Sequence, residues 1–122
     1  MKIAAYNIAS GGFNSYDSLS DQPERLPLLQ KVIKKIGADF IGLVDTFRWR
    51  EVFTTNDLRK IFGYQNTFHI NINDQRVDER IGIAVLTNLP VKHFKSIRLK
   101  TRDCLKTQID HQGKVIDIFT LY

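Results

Sequence analysis

Two short apolar segments with an amphipathic pattern between them dominate the first third of the chain. The segment "KIAAYNI" (residues 2–8) ends at an Asn followed by Ser and Gly, which is typical of a strand that runs into a loop. Apolar positions three or four residues apart over residues 26–36 predict a helix, with Ser20 or Asp21 as its cap and Pro23 in its first turn. The next segment, "DFIGLVD", is almost continuously apolar, as expected for a strand covered on both faces.

Strand, helix and strand in this order predict a β-α-β unit whose two strands are parallel. Asn7 closes the first strand and Asp45 closes the second. Because the carboxyl ends of parallel strands lie at the same edge of a sheet, the two side chains are expected at one rim. Open α/β sheets bind their ligands at that edge.

The remaining pattern predicts one more helix and then a run of strands. The helix covers about residues 55–62 and ends at Gly63. Alternation in "YQNTFHINI" predicts a half-buried strand with one polar face. It is followed by "IGIAVL", "VKHFKSIRL" and the hairpin "CLKTQID–HQG–KVIDIFTLY". The order indicates a mixed α/β domain with an antiparallel section.

Composition restricts the class of protein without naming a function. The 122 residues are 43% hydrophobic and 25% charged, as in one soluble domain, and they contain no apolar run near the roughly 20 residues of a membrane span. A single cysteine and no visible signal peptide favour the cytoplasm, with secretion after signal removal as the alternative. Residues 91–122 hold seven basic and three acidic side chains of a chain whose net charge is +5. This basic third is either a solvated strand face or a surface that attracts phosphate groups.

A few polar residues are candidates for chemistry. Asp45 is either a ligand of Mg²⁺, which needs only one or two protein carboxylates, or the cap of a turn. Asn7 alone is typical of a turn, and the pair at one rim favours a site. Arg102 precedes a strand, where it either clamps a phosphate or is solvated. Glu79 is either part of a surface ion pair or at the entry of the same site. The three histidines have no metal-ligand spacing, and Cys104 is expected in the core.

Several of these motifs together resemble the endonuclease/exonuclease/phosphatase family, which includes pancreatic deoxyribonuclease. "KIAAYNI" before a Ser/Gly loop and "ADFIGLVD" are similar to its first two strands, where Asp45 stands in place of the usual metal-binding Glu. "DERIGIAVLTNLPV", "TRDCLKTQID" and "KVIDIFTLY" are similar to later family segments. The resemblance implies the N-terminal half of a four-layer α/β sandwich with a mixed β-sheet. Residues 1–122 would then be a partial catalytic domain.

The resemblance also implies a chemistry, namely Mg²⁺- or Mn²⁺-dependent hydrolysis of a phosphoester. In it, Asp45 binds the metal with Asn7, Asn7 and Arg102 contact the phosphate, and Glu79 supports the acid–base apparatus. Tyr122 stands where the family has its active-site His. The implied partners are nucleic acid, an inositol phosphate, a phospholipid head group or another phosphoester.

Two departures from the family keep a second function open. Asp45 is shorter than Glu, and a Tyr, with a pKa near 10, is a poor acid–base group at neutral pH. The family's Gly-Asp-x-Asn and final Ser-Asp-His motifs do not occur in these 122 residues. The chain is therefore expected to be inactive by itself and to leave one apolar sheet face uncovered. The alternative is a non-catalytic or degenerate module that binds nucleic acid.

Overall fold

The computed structural model describes residues 1–122 as two sheets with helices on one side. The strands are β1 (Ile3–Asn7), β2 (Phe40–Val44), β3 (Asn66–Asn71), β4 (Gly82–Thr87), β5 (Val91–Arg98), β6 (Asp103–His111) and β7 (Lys114–Thr120). The helices are α1 (Leu26–Ile36), α2 (Trp49–Val52) and α3 (Thr55–Phe62), and a short 3-10 turn covers Ser10–Gly12.

The first sheet is mixed and has the strand order β1-β2-β4-β3. β1 and β2 are parallel, with Asn7 opposite Val44, which confirms the predicted β-α-β unit. β4 runs antiparallel to both β2 and β3. The second sheet, β5-β6-β7, is antiparallel throughout, which confirms the predicted antiparallel section.

Two cores lie on the two faces of the first sheet. On one face, α1, α2 and α3 pack against the sheet around side chains that include Ile33, Leu43 and Trp49. On the other face the two sheets pack together through Phe40, Ile83 and their neighbours. Because each central strand contributes side chains to both cores, β2 and β4 read as continuous apolar runs.

No helix covers the outer face of the second sheet. The molecule therefore has three layers, and Val115 and Phe119 on that outer face are about half exposed (53% and 50%). The second sheet also stops short of β1, and an apolar cleft of about 430 Å³ opens between β1 and β7. The expected uncovered apolar surface is therefore found in this cleft, whereas the outer face of the second sheet also carries the paired side chains of Lys106 and Asp117.

Gly42 in β2 lets the second sheet approach the first. A Cβ atom at Gly42 would lie 3.0 Å from Cγ2 of Thr120. Most Cβ contacts are longer than this, so a larger residue at position 42 would require Thr120 to move, and glycine is favoured there. Gly42 is thus the position in β2 at which Thr120 of β7 packs closely against the first sheet.

Three details differ from the sequence prediction. Helix α1 begins at Leu26, and neither Ser20 nor Asp21 caps it, because the guanidinium of Arg48 binds the carbonyls of Ser18 and Ser20 and holds that segment as loop. Pro23 lies before the helix. The single turn α2 was not predicted.

The polar face of β3 is covered rather than solvated. Helix α3 packs against this strand, and the buried hydroxyl of Thr67 donates a hydrogen bond to the carbonyl of Thr55 at 2.7 Å. His69 on the same face is half-buried. Helix α3 itself is as predicted, with a capping box between Thr54 and Asp57 and a left-handed C-cap at Gly63.

Candidate active site

Asp45 is the buried carboxylate at the rim of the first sheet. It follows β2 with a positive φ of 59°, which Asp tolerates better than most residues, and its exposed fraction is 3%. Its Oδ2 accepts hydrogen bonds from the backbone N–H of Ser10 (2.8 Å) and from the hydroxyl of Tyr16. Its Oδ1 is buried and has no hydrogen-bond partner. One carboxylate oxygen is therefore held in place, and the other has no hydrogen-bond partner in the protein.

Asn7 lies at the same rim on the neighbouring strand, as the parallel pairing predicts. Its Oδ1 accepts a hydrogen bond from the N–H of Ala9 at 2.9 Å, so the side chain forms the turn that follows β1. Ala9 and Ser10 both have positive φ angles, 45° and 52°. Asn7 thus stabilises the start of the loop, and the next residue of that loop, Ser10, binds Asp45 through its N–H.

The loop at Gly11 is clamped against the segment that follows Asp45. The N–H of Gly11 donates to the carbonyl of Asp45 at 2.8 Å, and the indole N–H of Trp49 donates to the carbonyl of Gly11 at 2.8 Å. Gly11 has φ of 63°, and a Cβ there would lie 2.2 Å from the carbonyl oxygen of Phe47. Only glycine fits this contact, so the Ser/Gly composition of the loop follows from how closely the two segments meet.

Tyr16 is a site residue that sequence reasoning missed. Its ring packs edge-on against Phe47 with the centroids 5.0 Å apart, and its hydroxyl donates to Asp45. Burial, this hydrogen bond and the charges of Asp45 and Tyr122 raise the pKa of Tyr16 to about 12. The phenol therefore stays protonated and remains a donor at neutral pH. The only signal in the sequence is an aromatic residue within a long polar loop.

Arg102 and Tyr122 meet at the ends of the second sheet. The Nη1 of Arg102 donates to the carbonyl of Tyr122 at 2.5 Å, and the guanidinium lies 5.5 Å from the centre of the Tyr122 ring. The Nη2 of Arg102 lies 2.7 Å from Oδ2 of Asp74.

Asp74 is the second residue that the sequence did not single out. Its side chain is 1% exposed, and it pairs with both Arg76 and Arg102. Hydrogen bonds from Arg76, together with the charges of the two arginines, hold the pKa of this carboxyl well below its usual range. Asp74 therefore remains charged and fixes the direction of Arg102. Its place in the polar run "NINDQ" gives no hint of burial.

Glu79 is exposed and makes no ion pair or hydrogen bond. It lines a cavity of about 520 Å³ together with Asn73, Asp74, Gln75 and Val77. Glu79 thus shares an opening with the carboxylate that holds Arg102, and it does not contact Arg102 or Tyr122. The neighbouring Asp78 pairs with Arg80 instead.

Metal binding at this rim would depend on few protein ligands. No group of three or more His, Cys, Asp or Glu side chains is arranged to hold a metal ion. The unpartnered Oδ1 of Asp45 fits a hard divalent cation, since Mg²⁺ is bound by one or two carboxylates and keeps several of its waters. The second lone pair of the Asn7 amide oxygen is the other protein donor at this rim.

Comparison with known proteins supports the fold. No protein-family model matches the sequence, and no curated protein is significantly similar to it. Among solved structures, the chain is similar to a D. rerio TDP2 carrying 14 humanizing mutations (16% identity, TM-score 0.65), over 98% of this chain and 45% of that one. It is also similar to an endonuclease/exonuclease/phosphatase from Beutenbergia cavernae (15%, TM-score 0.64), over 98% of this chain and 36% of that one. A family protein from Leptotrichia buccalis gives 14% and 0.63, over the whole chain and 54% of its own length.

The chain therefore has the mixed α/β fold of part of an endonuclease/exonuclease/phosphatase structure, which confirms the resemblance at the level of fold. It spans about half the length, or less, of these three proteins. None of its helices is both long enough and apolar enough to cross a membrane.

Proposed function

We propose that the chain is part of a metal-dependent phosphoester hydrolase of the endonuclease/exonuclease/phosphatase family, and that Asp45 binds Mg²⁺ or Mn²⁺. The observation that carries this proposal is the buried Oδ1 of Asp45, which lacks any partner beside an Oδ2 that has two. An unsatisfied buried polar atom costs free energy, and a divalent cation would satisfy it. The shared fold and the family-like motifs at Asn7 and Asp45 support the same conclusion.

In this function each residue acts from the position already described. The N–H of Ser10 and the hydroxyl of Tyr16 orient the carboxylate of Asp45, and Asn7 binds the metal shell or the phosphate. A bound divalent cation would supply charge stabilisation at the phosphate and activation of a water. Arg102, held by Asp74, would donate two parallel hydrogen bonds to phosphate oxygens.

Glu79 would take part in proton transfer, and Tyr122 would contribute a hydrogen bond. Glu79 is an exposed carboxylate beside the Asp74 cavity, where it would orient a proton-bearing group of the substrate or a water. The hydroxyl of Tyr122 would donate a hydrogen bond to the substrate. Since the chain covers between 36% and 54% of the three similar structures, we assign catalytic turnover to a protein with the whole fold.

Metal binding tests the proposal on the 122-residue chain. Mn²⁺ is titrated, and free Mn²⁺ is counted by electron paramagnetic resonance. We expect one site that Asp45→Asn removes, since Asn keeps the shape of the side chain and loses its charge. The matched control is Asp117→Asn, an exposed carboxylate on β7 that is paired with Lys106. Unchanged Mn²⁺ binding in Asp45→Asn would remove Asp45 from the proposal.

A second candidate function is a non-catalytic module that binds nucleic acid. The Tyr at position 122 and the seven basic residues of the last third favour it. The two functions are distinguished by assays of hydrolysis and of oligonucleotide binding on a longer polypeptide that contains the whole fold. Mg²⁺-dependent hydrolysis of a phosphodiester that Asp45→Asn abolishes supports the enzyme. Oligonucleotide binding that is independent of metal, without hydrolysis, supports the module.

A further inference from the structure

A polar cavity of about 210 Å³ lies between the β3–β4 loop and the turn that joins β5 to β6. No hydrophobic side chain lines it, and its walls are Asp74, Gln75, Arg76, Arg98, Lys100 and Thr101. The volume is several times the roughly 30 Å³ that one water occupies. We call it the Lys100 cavity. It does not include Asp45, and it shares Asp74 and Gln75 with the neighbouring Glu79 opening.

Asp74 holds one arginine on each side. Its Oδ1 accepts from Nε of Arg76 at 3.0 Å and its Oδ2 from Nη2 of Arg76 at 2.8 Å, which is a bidentate pair. The same Oδ2 binds Arg102, which points to Tyr122. A single buried carboxylate therefore sets the distance between Arg76 in the Lys100 cavity and Arg102 at the proposed active site.

The cavity keeps donors that no protein group uses. Lys100 is exposed and makes no ion pair. Arg98 uses only Nη1, which binds the carbonyl of Asn73 and the carboxylate of Asp103. Thr101 accepts a hydrogen bond from Arg76, which leaves its hydroxyl proton free to donate. An ammonium, a guanidinium edge and a hydroxyl thus belong to the walls of a cavity that no hydrophobic residue lines.

The charged residues around the Lys100 cavity have a net positive charge. Four basic residues (Arg76, Arg98, Lys100 and Arg102) surround two carboxylates, Asp74 and Asp103, and both carboxylates are already paired with arginines. The surplus is positive, and three of the four basic residues (Arg76, Arg98 and Lys100) line the cavity. Planar guanidinium groups and an ammonium are the protein groups that bind phosphate oxygens.

We propose that the Lys100 cavity binds a phosphate adjacent to the one that Arg102 contacts, so that the ligand of the whole surface is a nucleic acid strand. This inference rests on the proposed function, which places a phosphate at Arg102. A strand of repeating phosphodiesters fills both positions at once, whereas an ester with a single phosphate fills one.

The test compares two probes on the 122-residue chain. The probes are a thymidine dinucleotide with one phosphate and the same dinucleotide with a 5′-phosphate added, and their affinities are measured by titration of amide chemical shifts. We expect the added phosphate to tighten binding several-fold in the wild type and to shift the amides of Lys100 and Thr101. Lys100→Gln should lose that gain. Lys35→Gln, which removes the same charge from α1, should keep it.

A longer oligothymidylate gives a second readout. Each phosphate contact that is lost lowers the slope of log affinity against log salt by about 0.7 for a single strand. Lys100→Gln should show this loss, and Lys35→Gln should not. Equal affinities of the two dinucleotides for the wild type, or equal behaviour of the two lysine variants, would overturn the proposal. Because Mn²⁺ binding by Asp45 is measured without any nucleotide, failure of the proposed function is seen separately from failure of the Lys100 cavity.

Discussion

Replacing Gly11 by Ala tests whether the loop after β1 is the part of the structure that holds Asp45. The new Cβ would lie 2.2 Å from the carbonyl oxygen and 2.8 Å from the nitrogen of Phe47. Both are backbone atoms, so no side-chain rotation relieves the overlap. Either the loop or the Phe47 segment must move, and Gly11 loses its bonds to Asp45 and Trp49.

The expected cost combines two contributions. An L-residue in the left-handed region costs about 1–2 kcal/mol. Loss of two buried hydrogen bonds adds about 1 kcal/mol each. Gly11→Ala should therefore destabilise the chain by about 3–4 kcal/mol. The matched control is Gly63→Ala, which has φ of 74° and no atom within 4 Å of its Cβ, so that only the cost of about 1–2 kcal/mol applies.

Unfolding by urea, followed through the fluorescence of Trp49, measures both variants. Trp49 is the only tryptophan, and its indole N–H binds Gly11, so the probe reports on the altered contact. The same samples are titrated with Mn²⁺, where Gly11→Ala should bind more weakly and Gly63→Ala should bind like the wild type. If the two variants lose the same stability and keep the same Mn²⁺ affinity, the loop does not hold Asp45 as argued.

Three further substitutions examine individual groups. Tyr16→Phe keeps the ring against Phe47 and loses the hydrogen bond to Asp45, so it should lower the free energy of urea unfolding by about 1 kcal/mol. It should also remove the tyrosine whose pKa is raised to about 12, as measured by tyrosine absorbance against pH. A tyrosine that still titrates near pH 12 in the variant would contradict the assignment to Tyr16. Burial and the charge of Arg50 lower the pKa of His69, so the native state disfavours protonation and stability should fall as the pH drops below about 6.5. His69→Gln should flatten this loss in urea midpoints between pH 7 and pH 5, and an unchanged slope would exclude His69 as its cause. Thr54→Ala removes the cap of α3 and should cost about 1 kcal/mol in thermal melts followed by circular dichroism, whereas no change would show that the cap is dispensable.

The sequence was sufficient for the elements with a strong period and for the parallel pair. The apolar run of β2 and the spacing of α1 follow from burial alone, and parallel pairing then places Asn7 and Asp45 at one rim. The end of α3 at Gly63 follows from local backbone chemistry. These are local rules, which a sequence expresses directly.

The parts that the sequence did not reveal depend on contacts between distant segments. Asp74 looks like a loop residue, and only the fold brings Arg102 to it from 28 positions away. Tyr16 reaches Asp45 across a loop whose course Arg48 determines. Burial of Thr67 likewise depends on α3 packing over β3. No periodic pattern encodes such contacts, because each partner alone is an ordinary polar residue.

The close contact between Gly42 and Thr120 affects the position of Asp45 at the end of β2. Side chains alternate along β2, so a shift of the strand by one residue would bring Ile41 or Leu43 to the position that faces Thr120, where even a Cβ atom would lie only 3.0 Å from Cγ2 of Thr120. Gly42 therefore favours the observed alignment of β2 beneath β7 over an alignment shifted by one residue. Asp45 lies three residues beyond Gly42, so its position along the strand depends on a contact with the second sheet as well as on the N–H groups of Ser10 and Gly11 that bind it.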